Sequence, residues 1–347
     1  MQQPKQAWLG KPWIDIVFIL LPPFASLGFI ALFPSLFDDS KEMSLVGWVV
    51  LVMLIDVSHV YSTLYRTYFD PQALGEQRTL LWRVPFLAFV AGVLLYSMDA
   101  LLFWRVLAYV AVFHFVRQQY GIMRLYSRNE KKVRWFTSID TLTIYAATLY
   151  PVLYWHFSGP RNFNWFIDRD FLYMPSQLLV QIATVMYVLV ILLFTGKELV
   201  QYSTTRMLNV PKVGVICGTL LSWYFGIVYY NGDMAFTMLN VVSHGIPYMA
   251  IVWVYGQKAQ RQPVKNNRFL RLVFSRHGVV VFIGVLIVLA FVEEGLWDVM
   301  VWKEHSQVFG GLSGPDLSPA VLSIVVPLLS LPQVTHYILD GFIWKRR

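Results

Sequence analysis

Charged residues are scarce in this sequence: only 14% of the 347 residues are Asp, Glu, Lys or Arg, whereas 57% are hydrophobic. A soluble domain carries about 25% charged residues, so the composition excludes an ordinary soluble domain. It predicts an all-α integral membrane protein. The formal net charge of +8 does not indicate a nucleic-acid partner, because the basic residues lie between apolar runs, where they set membrane topology.

Cysteine is nearly absent. Cys217 is the only one, and it lies in an apolar run, so the chain can form neither an internal disulfide nor a thiolate-ligated zinc or iron–sulfur site. The repeated histidine boxes of membrane di-iron desaturases and hydroxylases are also missing. So is the H-E-x-x-H pattern of intramembrane zinc proteases. No internal repeat of the kind that many transporters contain is evident.

Apolar runs, by contrast, are abundant. A transmembrane helix needs about 20 mainly apolar residues. On this criterion we predict ten helices in one bundle, at about 13–36, 44–67, 81–98, 101–125, 138–157, 174–196, 211–231, 234–256, 278–296 and 319–343. The whole chain, 1–347, is predicted to be a single polytopic transmembrane domain.

The basic residues predict the topology of this bundle. They are concentrated in 124–134, in 258–276 and at both ends of the chain. With ten helices all of these segments fall on one side, which the excess of Lys and Arg in cytoplasmic loops marks as the inside. We therefore predict cytoplasmic N- and C-termini and a multi-pass protein of a bacterial inner membrane.

Four histidines, His59, His114, His244 and His336, interrupt the apolar runs. All four lie on even-numbered predicted helices, which run in the same direction, and their depths agree to within about 10 Å at 1.5 Å per residue. A lone intramembrane histidine is more often an interhelical hydrogen-bonding group than a ligand. Four at one level predict a metal site, since ionisable residues inside a membrane are usually functional.

Polar side chains recur within about a turn of these histidines, and metal-bound imidazole usually donates its second N–H to such a group. We assign catalytic or ligand roles to Asp56, Asp340 and Gln118. We expect Asn240, Gln333 and Thr63 to orient the imidazoles. Arg66 and Arg117 are expected to anchor an anionic headgroup or a carboxylate of the substrate.

Imidazole and carboxylate groups without thiolates suit iron, zinc, manganese or copper. We expect iron first, zinc second, and haem less readily than either. The predicted function is a non-haem iron oxidoreductase (an oxygenase, hydroxylase or desaturase) that acts on a lipid-like hydrophobic substrate with a cytoplasmic electron donor. Two alternatives stay open: a zinc-dependent hydrolase of lipid amides or esters, which Ser58 and Ser243 beside histidines would suit, and a proton or metal-cation transporter that uses the same cluster.

Overall fold

The computed structural model describes residues 6–37, 43–130, 133–260 and 267–344. It is 78% helix, and no strand occurs among the described residues. In chain order the principal helices are α1 (Pro12–Leu20), α2 (Pro22–Leu32), α3 (Leu45–Arg66), α4 (Pro71–Glu76), α5 (Arg78–Met98), α6 (Ala100–Tyr126), α7 (Arg134–Ser158), α8 (Gln177–Thr205), α9 (Val210–Tyr229), α10 (Asp233–Gln260), α11 (Arg268–Val273), α12 (Val279–Trp302) and α13 (Pro319–Ile343).

Eight of the described helices are long and apolar enough to cross a membrane: α3, α5, α6, α8, α9, α10, α12 and α13. The pair α1 and α2 satisfies the same test together, although the two are bent by 52° at Leu21, which precedes two consecutive prolines. Within the described chain the candidate spans therefore number eight, or nine with the bent pair. The all-helical fold and the multi-pass membrane character agree with the sequence prediction.

The count of ten spans stays a prediction. Each predicted span overlaps one of the helical segments, but α7 is not among those apolar enough to qualify. It is long enough to cross a membrane, yet Asp140 and a mixture of Thr, Tyr and Trp make it less apolar than its neighbours. Lys5 and the basic residues at 131–132, at 261–266 and at 345–347 lie outside the described residues.

Contacts divide the described chain into two units. Unit 1 consists of the described residues of 1–43 and 115–250, and unit 2 of those of 44–114 and 251–347. Helices α6 and α10 contribute residues to both units. The prediction of a single domain stays a prediction.

Unit 1 is organised around α7, which packs along α8 and against α9. The helices α1 and α2 cover the other side of α9, where a Cβ on Gly218 would lie 2.6 Å from the Cγ of Pro23. Only glycine permits this approach of the two helices. Asn209 caps the N-terminus of α9, since its Oδ1 accepts a hydrogen bond from the backbone N–H of Lys212 at 3.2 Å.

Unit 1 also contains a group of five charged side chains, which we call the ionic cluster: Glu130, Asp140, Lys197, Glu198 and Lys212. Lys212 Nζ lies 2.8 Å from Glu198, 3.0 Å from Glu130 and 3.3 Å from Asp140, while Lys197 pairs with Asp140 and Glu198. Both ammonium groups are fully buried. The cluster ties α7, α8 and α9 together through opposite charges.

Unit 2 is organised around α13, which packs against α5 and α3. Its close contact with α5 again involves glycine, since a Cβ on Gly92 would lie 2.9 Å from the Cβ of Pro327. Leu81 of α5 packs with Leu339 and Ile343 of α13 in a fully apolar cluster. Helix α12 packs against α3, where Ala290 meets Met53 and Val57. These contacts fix α3 and α13, the helices that carry His59 and His336.

Candidate metal centre

Four buried histidines come together. His59 of α3, His114 of α6, His244 of α10 and His336 of α13 each offer a ring nitrogen, and these four nitrogens all lie within 4.8 Å of one another. None of the four side chains is more than 2% exposed. We call this group the histidine site. It is the convergence that the matched depths in the sequence predict, and its geometry suits the binding of a metal ion.

Three of these histidines, His59, His114 and His336, belong to unit 2. The ring centroids of His336 lie 4.5 Å from His114 and 5.0 Å from His59, in edge-to-face arrangements. The ring of Tyr337 stacks on that of His114, with 5.0 Å between the two centroids. The imidazoles are therefore fixed by one another and by an aromatic neighbour, which preorganises the site.

The backbone of α3 is unusual just before His59. Residues Trp48–Val57 form a π-helix, Ser58–Ser62 return to α-helix, and Thr63–Arg66 close as a 3₁₀ turn. A π-helical segment turns side chains away from the positions that an α-helix would give them, and such segments occur often at functional sites. No proline or glycine in the segment announces it. Sequence reasoning therefore missed it.

Thr63 holds one ring of the site in a defined orientation. Its hydroxyl is 2.6 Å from Nδ1 of His336, and both side chains are buried. With Nδ1 engaged in this way, Nε2 is the nitrogen of His336 that can coordinate a metal. The sequence places Thr63 among the orienting residues, on the helix of His59. The structure gives it a histidine on a different helix.

The two predicted carboxylates each face an imidazole. Asp56 Oδ1 lies 3.4 Å from Nδ1 of His59, one turn away on the same helix. Asp340 Oδ2 lies 3.7 Å from Nδ1 of His114, rather than pairing with His336 on its own helix, and its Oδ1 accepts a hydrogen bond from Trp344 Nε1 at 2.5 Å. At these separations the imidazole contacts are electrostatic rather than short hydrogen bonds.

His244 is held by its surroundings in unit 1. Its ring lies flat on Phe115, with 3.5 Å between centroids and 5° between planes. Gln118 Nε2 donates to the backbone carbonyl of His244 at 2.9 Å. We expected Gln118 to act at His114, four residues before it on α6. It acts instead on the backbone that carries another histidine of the site.

The side-chain amide of Gln119 also bonds the backbone of α10, and Pro247 explains why a donor is needed there. Proline has no N–H, so the carbonyl of Ser243, four residues earlier, loses its usual helical donor. Gln119 Nε2 donates to that carbonyl at 3.3 Å. A side chain from another helix thus satisfies the backbone opened by proline, as membrane interiors require.

The remaining predicted residues lie in less direct positions. Asn240 is buried, and its Nδ2 donates to the carbonyl of Phe236 in its own helix at 2.8 Å. Gln333 is half-buried. Arg66 donates a hydrogen bond to the carbonyl of Ile343 at 3.1 Å, and its guanidinium carbon lies 4.3 Å from the ring centroid of Trp344. Arg117 is exposed and donates to the hydroxyl of Tyr145 at 2.5 Å. Their proposed roles stay predictions.

Two acidic residues of α12 have an environment that their position in the sequence does not suggest. Glu293 and Glu294 stand near the end of a predicted span, where an interfacial position is typical. In the structure both are buried, at 4% and 8% exposure. The signal for this was present, because two adjacent glutamates interrupt an otherwise apolar helix and intramembrane acids are usually functional.

No protein-family model, curated protein or solved structure matches the chain. The functional conclusion therefore depends on the residues of the site and on their chemistry.

Proposed function

We propose that this protein is a membrane-embedded metalloenzyme whose histidine site holds an iron ion, and that it oxidises a hydrophobic, lipid-like substrate. The observation that carries the proposal is the convergence of four buried imidazole nitrogens within 4.8 Å. Neutral imidazoles suit iron, copper and zinc, and the carboxylates of Asp56 and Asp340, beside His59 and His114, would offset part of the charge of the ion. A bound iron would supply the capacity to bind and activate dioxygen.

The chain's own residues would do the positioning. Thr63 fixes the orientation of the His336 ring, and the carboxylates of Asp56 and Asp340 favour imidazoles whose second nitrogen can donate to them. Phe115 holds the ring of His244 in one plane. Apolar helix faces around the site exclude water and favour substrates and gases that dissolve in the bilayer.

Iron is preferred to zinc for two reasons. A catalytic zinc is usually held by three protein ligands and keeps one position for water, whereas four histidines are available here. A zinc hydrolase with a helping serine would use Ser58 or Ser243, yet both hydroxyls donate to carbonyls of their own helices, to Met53 at 3.2 Å and to Leu239 at 2.5 Å. This engagement weakens the hydrolase alternative.

Haem is disfavoured by the same geometry. In a haem protein the porphyrin supplies four nitrogens around the iron and the chain supplies the axial ligands. Here four chain nitrogens lie within 4.8 Å of one another, so they compete for the space that the macrocycle would fill.

Transport of protons or cations remains the second candidate, and the burial of Glu293 and Glu294 favours it. Further acidic groups beside the histidines would suit a route across the membrane. Proteoliposomes loaded with a pH-sensitive dye test this alternative. Proton flux that disappears in His59→Ala would favour transport over catalysis.

The wider setting of the proposal is a multi-pass protein of a bacterial inner membrane, with ten spans and both termini in the cytoplasm. An oxygenase that needs external electrons would receive them from a cytoplasmic donor, and the basic loops offer a surface for it. With Cys217 replaced by serine, single cysteines near 130, at the exposed Asn129, and at 265 should be labelled from the cytoplasmic side. Labelling from opposite sides would overturn the ten-span topology.

Oxygen uptake tests the proposed reaction class. We expect iron-loaded protein in membranes to consume oxygen when it is given a reductant and a membrane lipid extract. The zinc-loaded protein is the control and should consume none. Release of fatty acid or amine by the zinc-loaded form, without oxygen uptake by the iron-loaded form, would favour the hydrolase.

A further inference from the structure

Glu293 and Glu294 of α12 are a second polar feature of unit 2, outside the histidine site. Neither belongs to any ion pair among the described residues, in contrast to the glutamates of the ionic cluster. Neither carboxylate oxygen of Glu293 accepts a hydrogen bond of good geometry within the described chain. A buried carboxylate in this position is costly unless it is neutralised.

Their position is set by the packing of α12 on α3. Ala290, which lies one turn before the two glutamates, packs against Met53 and Val57. The next turn of the same face therefore brings the glutamates beside the part of α3 that carries Asp56 and Tyr61. Asp56 interacts electrostatically with both glutamates, and Tyr61 and Trp297 approach Glu293.

Asp56 connects this pair to the histidine site. Its Oδ1 is 3.4 Å from Nδ1 of His59, and the side chain is half-buried. A single polar side chain, that of Asp56, therefore separates the two glutamates from the imidazole of His59.

The two glutamates cannot both be ionised at low cost, because no lysine or arginine of the described chain neutralises them. Two adjacent buried carboxyl groups in such surroundings share protons. A proton is the one cation that this pair can hold without further ligands.

We propose that Glu293 and Glu294 form a proton-holding pair that supplies protons to, or accepts them from, the chemistry at the histidine site. The proposal rests on the proposed function, since reduction of dioxygen takes up protons as well as electrons, and a dry site needs a route for them. The electrons come from the donor named above, and the protons come from water at the membrane face nearest the C-terminal end of α12.

Infrared spectroscopy tests whether the pair holds a proton. A protonated carboxylic acid in apolar surroundings has a carbonyl stretching band that shifts in D₂O. We expect this band in the wild-type protein at neutral pH, a weaker band in Glu293→Gln and in Glu294→Gln, and none in the double variant. Glu198→Gln is the matched control, since Glu198 is also buried but is paired with Lys197 and Lys212, and it should leave the band unchanged.

The substitutions conserve side-chain shape, and an unfolding midpoint in detergent near the wild-type value reports that each variant is folded. A band that persists in the double variant, or its absence from the wild type, overturns the proposal. If the double variant does not fold, the two single variants decide by the same criterion. The result does not depend on the metal, so a protein without iron would refute the proposed function and leave this inference to its own test.

Proton uptake tests the connection to the site. Reduction of the iron-loaded protein by the methyl viologen radical, which gives up an electron without releasing a proton, should be accompanied by proton uptake from a weakly buffered solution. In Glu293→Gln we expect this uptake to slow by about a hundredfold, the scale of a positioned proton donor, with rescue in Glu293→Asp. Equal rates in the wild type and both variants would refute the connection.

Discussion

The ionic cluster of unit 1 and the histidine site both lie among apolar helices, but the charges of the two sites are balanced in different ways. In the ionic cluster two ammonium groups face three carboxylates, and every charge has an opposite charge within salt-bridge distance. At the histidine site the carboxylates Asp56 and Asp340 face imidazoles. The ionic cluster therefore contains its own cations, whereas the histidine site is suited to receive one.

This difference separates a structural role from a functional one. Paired buried charges stabilise a particular helix arrangement, and breaking one pair leaves an uncompensated charge. Imidazoles held by a hydroxyl and by ring contacts need no partner charge to stay buried, but four together make an unusual core. A metal ion explains their convergence. Variants in the ionic cluster and in the histidine site test whether the two sites differ in this way.

Lys212→Met should have the largest effect. It removes the cation that contacts Glu130, Asp140 and Glu198, and breaking a buried ion pair costs about 3–5 kcal/mol. We expect a large loss of thermal stability in detergent, measured by the unfolding midpoint. Lys303→Met, on a lysine paired with the exposed Asp316, is the control and should change little. Equal midpoints for the two variants would contradict the structural role of the ionic cluster.

His336→Ala should act on the metal rather than on the fold. This ring contacts His59, His114 and Thr63, so its loss removes a ligand and the packing of two others. We expect bound metal to fall well below the wild-type level while the unfolding midpoint changes less than in Lys212→Met. His305→Ala, on a histidine whose ring packs against Trp48, should keep its metal. Equal loss in both histidine variants would refute the assignment of the site.

Thr63→Val should have an intermediate effect. It conserves side-chain shape but removes the hydroxyl at Nδ1 of His336, and loss of such an orienting partner costs about 10- to 100-fold in metal affinity. Thr67→Val is a close control, because Thr67 is buried one turn further along and its hydroxyl donates to the carbonyl of Thr63. If competition with a chelator gives both variants the same affinity, the orienting role of Thr63 is wrong.

Asp340→Asn should have the smallest of these effects. The carboxylate lies 3.7 Å from His114, so neutralising it weakens an electrostatic contact without removing a short hydrogen bond. We expect metal affinity to fall by about tenfold, near the lower limit for groups that support a ligand. Glu294→Gln should change affinity less. The reverse ranking would move the metal chemistry towards α12.

The membrane-helix positions and the convergence of the histidines could be predicted from sequence, because both depend on apolar periodicity and depth along straight helices. The partners of the histidines could not. Asp340 faces His114 and Gln118 bonds the backbone of His244, since helix rotation and packing, which one sequence does not specify, decide which faces meet.

Two further features were not predicted from the sequence, for local reasons. The π-helix of α3 has no residue signature, and its wider turns change which side chains share a face. The ionic cluster had a signal that sequence reasoning did not use. Lys197 and Glu198 interrupt the apolar run of α8, and charged residues in such a run indicate a buried partner.

Metal analysis of the purified protein, with an absorption spectrum of the same sample, tests the central claim most directly. We predict about one iron per chain, four histidines being the ligand set of a single ion, and no Soret band. Zinc in place of iron would favour the hydrolase, and a Soret band would make the protein a cytochrome. Protein that binds no metal, even after incubation with iron or zinc, would contradict the account and leave the four histidines as groups of a proton route.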